Sequence, residues 1–252
     1  MKLQLVQDPA VLGRVAADFG ADIIRRALKT HGHANVIVAT GASQLAMLEV
    51  LVKAPDIDWS LITVFHLDEY IGLPESHSAS FRRYLRERFL QELPQAPEFI
   101  PVDGDAPDLN MELARLNLLL AERTVDLCFA GIGENGHLAF NDPPADFEVD
   151  KPYIAVDLDD ACRRQQFGEG WFKSMDEVPR RAISMSVRQI MRSQALVLTV
   201  PDLRKAAATK AAMEGPVQPS CPASIVQRHD NCMVFLDPAA ASLLTRPPAR
   251  AV

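Results

Sequence analysis

Short runs rich in β-branched and apolar residues recur along the chain, each followed by loop or helix signals. They are NVIVA (35–39), LITVF (61–65), VDLCFA (125–130), RAISMS (181–186) and ALVLTV (195–200). Strands buried on both faces read as continuous apolar runs, and parallel strands need crossovers that are usually helical. The rhythm therefore predicts an α/β fold: a single-domain, open, mostly parallel sheet, Rossmann-like and doubly wound, with helices on both faces. Helical patterns are predicted over 9–29, 43–53, 78–88, 107–123, 187–192 and 202–213. No internal repeat or Gly/Ser linker divides the chain, so one domain over 1–245 is expected, with a frayed tail over 246–252 around TRPPAR.

Composition narrows the function classes. The chain has 252 residues, 48% of them apolar, enough for a full core. Its four cysteines (Cys128, Cys162, Cys221, Cys232) form no CxxC pair, which predicts reduced thiols rather than a disulfide framework or zinc cluster. The opening MKLQLVQDPAVLG lacks the apolar core of a signal peptide, and no later stretch has the apolar length of a membrane span. A cytoplasmic protein without a membrane partner is expected. A net charge of −7 with interspersed signs argues against a nucleic-acid partner, so an anionic ligand would need a local site.

In an open parallel sheet, ligands sit beyond the carboxyl ends of the strands. Three loops there are chemically unusual. TGAS (40–43) follows the run NVIVA, and small residues before a helix let the backbone approach a phosphate, although Ser43 could serve only as an N-cap. FHLDEYIGL (65–73) puts acids at a strand's end. Period-two alternation there sends His66 and Asp68 to one face and Leu67 and Glu69 to the other. Asp68 is either a solvated turn acid or a carboxylate base whose basicity partial burial raises. The downstream His77 is expected to brace the next helix.

The third loop is AGIGENGHLAFND (130–142), in which Gly131, Gly133 and Gly136 permit tight turns and His137 follows with Glu134 and Asp142 nearby. A histidine fixed by a partner can shuttle protons near neutral pH. GIGENG lacks the spacing of a dinucleotide fingerprint, and no Walker motif occurs. His66, Asp68, His77, His137 and Asp142 show no recognised metal-ligand spacing, so no metal is expected.

Taken together and in order, ATGAS, FHLDEYIGLPESHSASF and AGIGENGHLAFNDP resemble the glucosamine-6-phosphate deaminase (isomerase) family, whose relatives include 6-phosphogluconolactonases. Weaker matches over LRKAAATKAAMEG and PASIVQRH extend the likeness over nearly the whole chain. DEYIGL and GHLAFNDP resemble the deaminase branch, whereas the lactonase branch would show DER and GHxASLFPG. The resemblance implies a cofactor-free reaction on a small-molecule amino-sugar phosphate: glucosamine 6-phosphate and water become fructose 6-phosphate and ammonium. Carried over by motif, Thr40, Gly41, Ala42 and Ser43 would cradle the phosphate with help from Lys205, and Gly133 would border the substrate. Asp68 would move the proton between C2 and C1. His137 would open the ring, oriented by a carboxylate on either side in the chain. The family's phosphate-binding arginine falls on Arg163 or Arg164, for which a solvated helix face is the alternative. The stretch 147–179 would cover the sugar. A homo-oligomer is left open.

The chain departs from the family pattern of Asp-Gly-His with a later glutamate: it has Asn135-Gly136-His137 and Asp142. Asparagine can accept a hydrogen bond from imidazole but brings no charge, and Asp142 is a methylene shorter than glutamate. If Asp142 or Glu134 supplies the charge, a deaminase is expected. If neither does, the chain becomes a sugar-phosphate binder or regulator. Lactone hydrolysis, with His137 activating water, is the third reading.

Overall fold

The structure is a computed structural model that describes residues 1–246 and the backbone of 249–250. In chain order the first half contains β1 (Lys2–Leu5), α1 (Pro9–His31), β2 (Ala34–Val38), α2 (Leu45–Leu51), β3 (Ile62–His66), β4 (Asp68–Tyr70), α3 (Phe81–Arg88), β5 (Glu98–Ile100), α4 (Leu109–Ala121) and β6 (Leu127–Ala130). The second half adds β7 (Tyr153–Asp157), α5 (Asp160–Gly168), β8 (Arg181–Met185), α6 (Val187–Met191), β9 (Leu196–Val200), α7 (Ala206–Glu214), β10 (Cys232–Leu236) and β11 (Ala249–Arg250). The expected tail falls mostly outside the described residues; within it, β11 pairs with β1 through Gln4 and Leu5.

Eight strands form a sheet in the order β11-β1-β10-β9-β6-β2-β3-β5, and every pairing in it is parallel. Its central strands are buried on both faces: Val36 and Val38 of β2 join one core and Ile37 the other. α1, α2 and α3 cover the first face through Leu12, Ile24, Met47, Leu48 and Leu85. α4, α6 and α7 cover the second through Leu116, Leu120, Ile190 and Ala212. The fold is thus doubly wound, as the strand rhythm predicts.

Local signals set the helix ends. Asp8 caps α1 by accepting from the amides of Ala10 and Val11, Pro9 occupies its first turn, and Gly32 ends it with φ 74°, a left-handed conformation glycine adopts at little cost.

One strand differs from expectation. RAISMS forms β8, but β8 lies in a separate antiparallel sheet, β4-β8-β7, and not in the parallel one. An apolar run reports burial, and burial alone does not choose a sheet. The small sheet sits beside the carboxyl ends of β2, β3 and β6, where Leu67 donates to the Val38 carbonyl and accepts from the Met185 amide. A third core of Tyr70, Phe140, Phe172 and Cys162 fills the space beneath α5.

From β2 the chain first winds outward through β3 to β5, then returns to the other side of β2 with β6. The loops after β2 and β6 consequently part from each other. That topological switch point is where open α/β sheets hold ligands.

Candidate active site

A cleft with about 630 Å³ of free space opens at this switch point. Its first wall is the turn after β2. A single turn of 3-10 helix, Ala42–Gln44, runs directly into α2, with Gly41 at its N-cap and no side chain capping it. The first amides of such a turn have no intrahelical acceptor. A Cβ built on Gly41 would meet no atom within 4 Å, so packing does not demand glycine there, and bare backbone borders the cleft. Gln44 fastens the turn from behind: its buried amide donates to the Ala130 carbonyl at 3.0 Å and to Thr199 Oγ1 at 2.6 Å. Thr199 Oγ1 in turn donates to the Ser43 carbonyl at 3.0 Å.

The second wall carries Asp68. The chain leaves the large sheet after His66 and resumes in the small sheet at Asp68, so the expected alternation breaks between them. His66 is buried away from the cleft, its Nε2 accepting from the Val102 amide at 2.7 Å. Burial, aided by Arg82, pushes its imidazole down to about 3, and it is neutral. Asp68 borders the cleft and accepts no side-chain hydrogen bond from the described residues. Burial, followed by the nearby charges of Glu69 and Glu169, raises its carboxyl well above the usual range.

Glu69 takes the opposite role. It accepts from Ser80 Oγ at 2.7 Å, from the amides of Tyr70, Phe81 and Arg82, and from Arg82 Nε at 3.3 Å. The adjacent acids of DEY therefore divide: Glu69 ties β4 to α3, and the Asp68 carboxylate faces the cleft with no donor among the described residues.

The third wall is the glycine-rich loop after β6. His137 Nδ1 lies 3.0 Å from Asp142 Oδ1, so the shorter acid does reach the ring. Asn135 donates its side-chain amide to the same Asp142 Oδ1 at 2.9 Å and to Asp159 Oδ2 at 3.2 Å. Its Oδ1 accepts from the backbone N–H of His137 at 3.1 Å, and not from the imidazole as the sequence suggests. The Asp159 amide completes the set, donating to Asp142 Oδ2 at 2.9 Å. Burial pushes the Asp142 carboxyl up, but these bonds, with His137 first among them, outweigh it and hold the group below its ordinary value.

With Nδ1 facing a carboxylate, Nε2 is left for the cleft. The glycines make this placement sterically available. A Cβ on Gly133 would lie 2.3 Å from His137 Nε2, and Gly136 has φ 86°.

Lys205 closes the cleft from the start of α7. It is buried, which lowers its ammonium from the ordinary value, and no carboxylate of the described residues lies within 4.0 Å of it. The structure thus brings Thr40, Gly41, Ala42, Ser43, Asp68, Gly133, His137 and Lys205 to one cleft, with Asn135 and Asp142 behind His137.

Other expected residues lie elsewhere. Glu134 does not brace His137; its carboxylate is 3.4 Å from Arg204 Nη1. Arg163 is buried with Nη2 donating to the carbonyls of Met175 and Val178, and Arg164 is exposed, so neither lines the cleft. Arg163 Nε and Nη2 are taken by backbone carbonyls, and Nη1 lies 3.6 Å from Asp160 Oδ1. His77 accepts from the Ala79 amide at 3.1 Å and stacks on Phe172, a bracing position.

The sequence reading missed Gln165, Gln166 and Glu169, all of which line the cleft. Gln165 Oε1 accepts from the Glu134 amide at 2.8 Å, and Gln166 Oε1 accepts from the Tyr70 hydroxyl at 2.7 Å. α5 is therefore tied both to the histidine loop and to the Asp68 strand. The i,i+4 spacing of Gln165 and Glu169 was the available signal. Among the described residues one His/Cys/acid group, His137, Asp142 and Cys162, has potential ligand atoms within 4.8 Å of one another; His66 and His77 are not part of it.

Residues 7–235 match the family model described as glucosamine-6-phosphate isomerases/6-phosphogluconolactonase. The chain belongs to this family. Two relatives called glucosamine-6-phosphate deaminase, from Streptococcus equi subsp. equi and Lactobacillus delbrueckii subsp. bulgaricus, are each 37% identical over 97% of this chain and their whole length. A solved monomeric glucosamine-6-phosphate deaminase superposes with a TM-score of 0.88 at 30% identity, over 96% of this chain and all of that one. A putative 6-phosphogluconolactonase from Neisseria gonorrhoeae shares the family fold with a TM-score of 0.74 at 24% identity, over 94% of this chain and all of that one.

Proposed function

We propose that this family member converts glucosamine 6-phosphate and water into fructose 6-phosphate and ammonium in the cytoplasm. The observation that carries the reading is the junction in one cleft of Asp68, a buried carboxylate with raised basicity, and His137, backed by Asp142. The names of the two 37% identical relatives support the same substrate. In this reading the amides of residues 40–43 and Lys205 hold the phosphate, and Gly133 borders the sugar. His137 Nε2 moves the proton of the anomeric hydroxyl as the ring opens, and Asp142 stabilises the imidazolium formed.

Asp68 then removes the proton from C2 and returns it to C1, while one proton of the C2 ammonium passes to O1. The C–N bond at C2 becomes an iminium, water adds at C2, and ammonia departs with a proton. One carboxylate poised over adjacent carbons suffices for both transfers. The reaction as written requires no cofactor.

The test is a paired measurement of ammonium and fructose 6-phosphate after adding glucosamine 6-phosphate to purified protein, with Asp68→Asn protein as the blank. Equal yields of both products, absent in the blank, are expected. Acid release from 6-phosphogluconolactone without ammonium would replace the reading by lactone hydrolysis. Thermal stabilisation by glucosamine 6-phosphate without either product would replace it by binding alone.

A further inference from the structure

Glu169 has no part in the mechanism above, although it lines the same cleft as Asp68 and His137. It follows directly after α5, whose N-cap Asp159 is bonded to Asp142 and Asn135 and whose Gln165 accepts from the Glu134 amide. The position of Glu169 is therefore referenced to the catalytic loop. Its carboxylate makes one long hydrogen bond, from Gln165 Nε2 at 3.4 Å. No Lys, Arg or His nitrogen of the described residues lies within 4.0 Å, and the nearby Arg204 is committed to Glu134 and Asp202.

Burial raises the Glu169 carboxyl, opposed by Gln165 and by the more distant charges of Lys205, His137 and Arg204. A half-buried carboxylate bordering a cleft without an ion-pair partner is free to take a cationic group of a ligand.

The cleft as a whole carries both kinds of unpaired charge. Lys205 and the uncapped turn 40–43 can take an anion, while Glu169 and Asp68 offer two carboxylates. That mixture of charges suits a ligand carrying both a phosphate and an ammonium group better than a sugar phosphate bearing only hydroxyls. We propose that Glu169 reads the substituent at C2, binding the substrate's ammonium group and thereby selecting amino-sugar phosphates over their hydroxyl counterparts. The proposal rests on the sugar-phosphate reading above and assigns within it a specificity residue, distinct from the base Asp68.

Two unreactive open-chain ligands test it by calorimetry: 2-amino-2-deoxyglucitol 6-phosphate and glucitol 6-phosphate, which differ only at C2. Wild-type protein is expected to bind the amino compound about 10- to 100-fold more tightly, the range of a charge-assisted hydrogen bond. Glu169→Gln should erase most of that preference while changing the Kd of glucitol 6-phosphate less than about 2-fold, since the phosphate contacts remain. Asp68→Asn should keep the preference. Retention of the preference in Glu169→Gln, its loss in Asp68→Asn instead, or an equal loss of both ligands in Glu169→Gln would each overturn the proposal. Equal affinity of wild-type protein for the two hexitols would overturn it while sparing the sugar-phosphate reading. Binding of neither hexitol by wild-type protein would remove that reading and the proposal together.

Discussion

Asn135 and His137 share one carboxylate oxygen: the Asn135 amide donates to Asp142 Oδ1 at 2.9 Å, and His137 Nδ1 faces the same atom at 3.0 Å. Asn135 also holds Asp159 at 3.2 Å and takes the His137 amide on its own oxygen. Its amide is thus the donor that lets two carboxylates approach the same spot, a task an aspartate cannot perform. The departure from the family's acid at this position does not starve the histidine of charge, because Asp142 supplies it.

Asn135→Asp should therefore harm the site. The substitution removes charge-assisted donors, worth roughly 1.5–3 kcal/mol, and sets a third carboxylate against Asp142 and Asp159. Melting temperature should fall by several degrees at pH 8, at about 2–4 °C per kcal/mol for a chain of this size. Turnover of glucosamine 6-phosphate should drop about 10-fold or more. A melting temperature unchanged at pH 8, or unaltered turnover, would show that position 135 does not organise the histidine.

Asp68→Asn separates function from stability. Loss of the base should lower kcat by about 10²–10⁴-fold. Burial raises the Asp68 carboxyl, so folding favours its protonated form. The stability that preference brings is present at low pH and lost as pH rises through the raised value. The ionised group consequently burdens the fold at pH 8. The variant should melt higher than wild type at pH 8, with the difference shrinking towards pH 4. A variant that melts lower at pH 8 would contradict a carboxylate whose charge burial disfavours.

Gly133→Ala probes the placement of the imidazole. The added Cβ would lie 2.3 Å from Nε2 and 2.4 Å from Cε1 of His137, so the ring must move. A displacement of about 1 Å at a reacting group can cost on the order of 100-fold, and kcat should fall accordingly. The stability cost should stay near 1–3 kcal/mol, typical of overpacking. Kinetics and a melt on the same preparation check both figures; wild-type kcat would show that His137 can retreat without loss.

Much of this was legible in the sequence, for identifiable reasons. The central strands β2, β3, β6 and β9 are buried on both faces, so their apolar runs stand out. The edge strand β5 has three residues, and β1 reads KLQL, too short and too polar to register. β10 is apolar, CMVFL, but carries a single β-branched residue, a weak strand signal. Loop chemistry was visible because glycines and ionisable residues are poor material for a strand's end. The contributions of α5 were not visible. Gln165, Gln166 and Glu169 look like a solvated helix face until Asp159 and Gln165 are seen bonded to the loop beneath. Arg163 misled for the converse reason, since only the fold reveals the carbonyls that claim its guanidinium.

The acid limb of the rate profile should follow from two carboxyls displaced in opposite directions. Burial, with Glu69 and Glu169, raises Asp68. Asp142 is held low, because its bonds from His137, Asn135 and the Asp159 amide outweigh burial. As pH falls, Asp68 takes up its proton first and loses its power as a base, while Asp142 stays ionised against His137. The limb of kcat/KM in the free enzyme should then lie well above the ~3.9 of an unperturbed aspartate. The stability that the low Asp142 value brings is present above the unfolded value and lost only as pH falls further. Folded but inactive protein should therefore populate the interval between. Removing the Glu169 charge by Glu169→Gln takes away one cause of the elevated Asp68 value and should move the limb to lower pH. Profiles of kcat/KM and circular dichroism from pH 3 to 8, on wild type and the variant, measure both. A limb that coincides with acid unfolding, or that ignores the loss of Glu169, would show that Asp68 is not the group titrated.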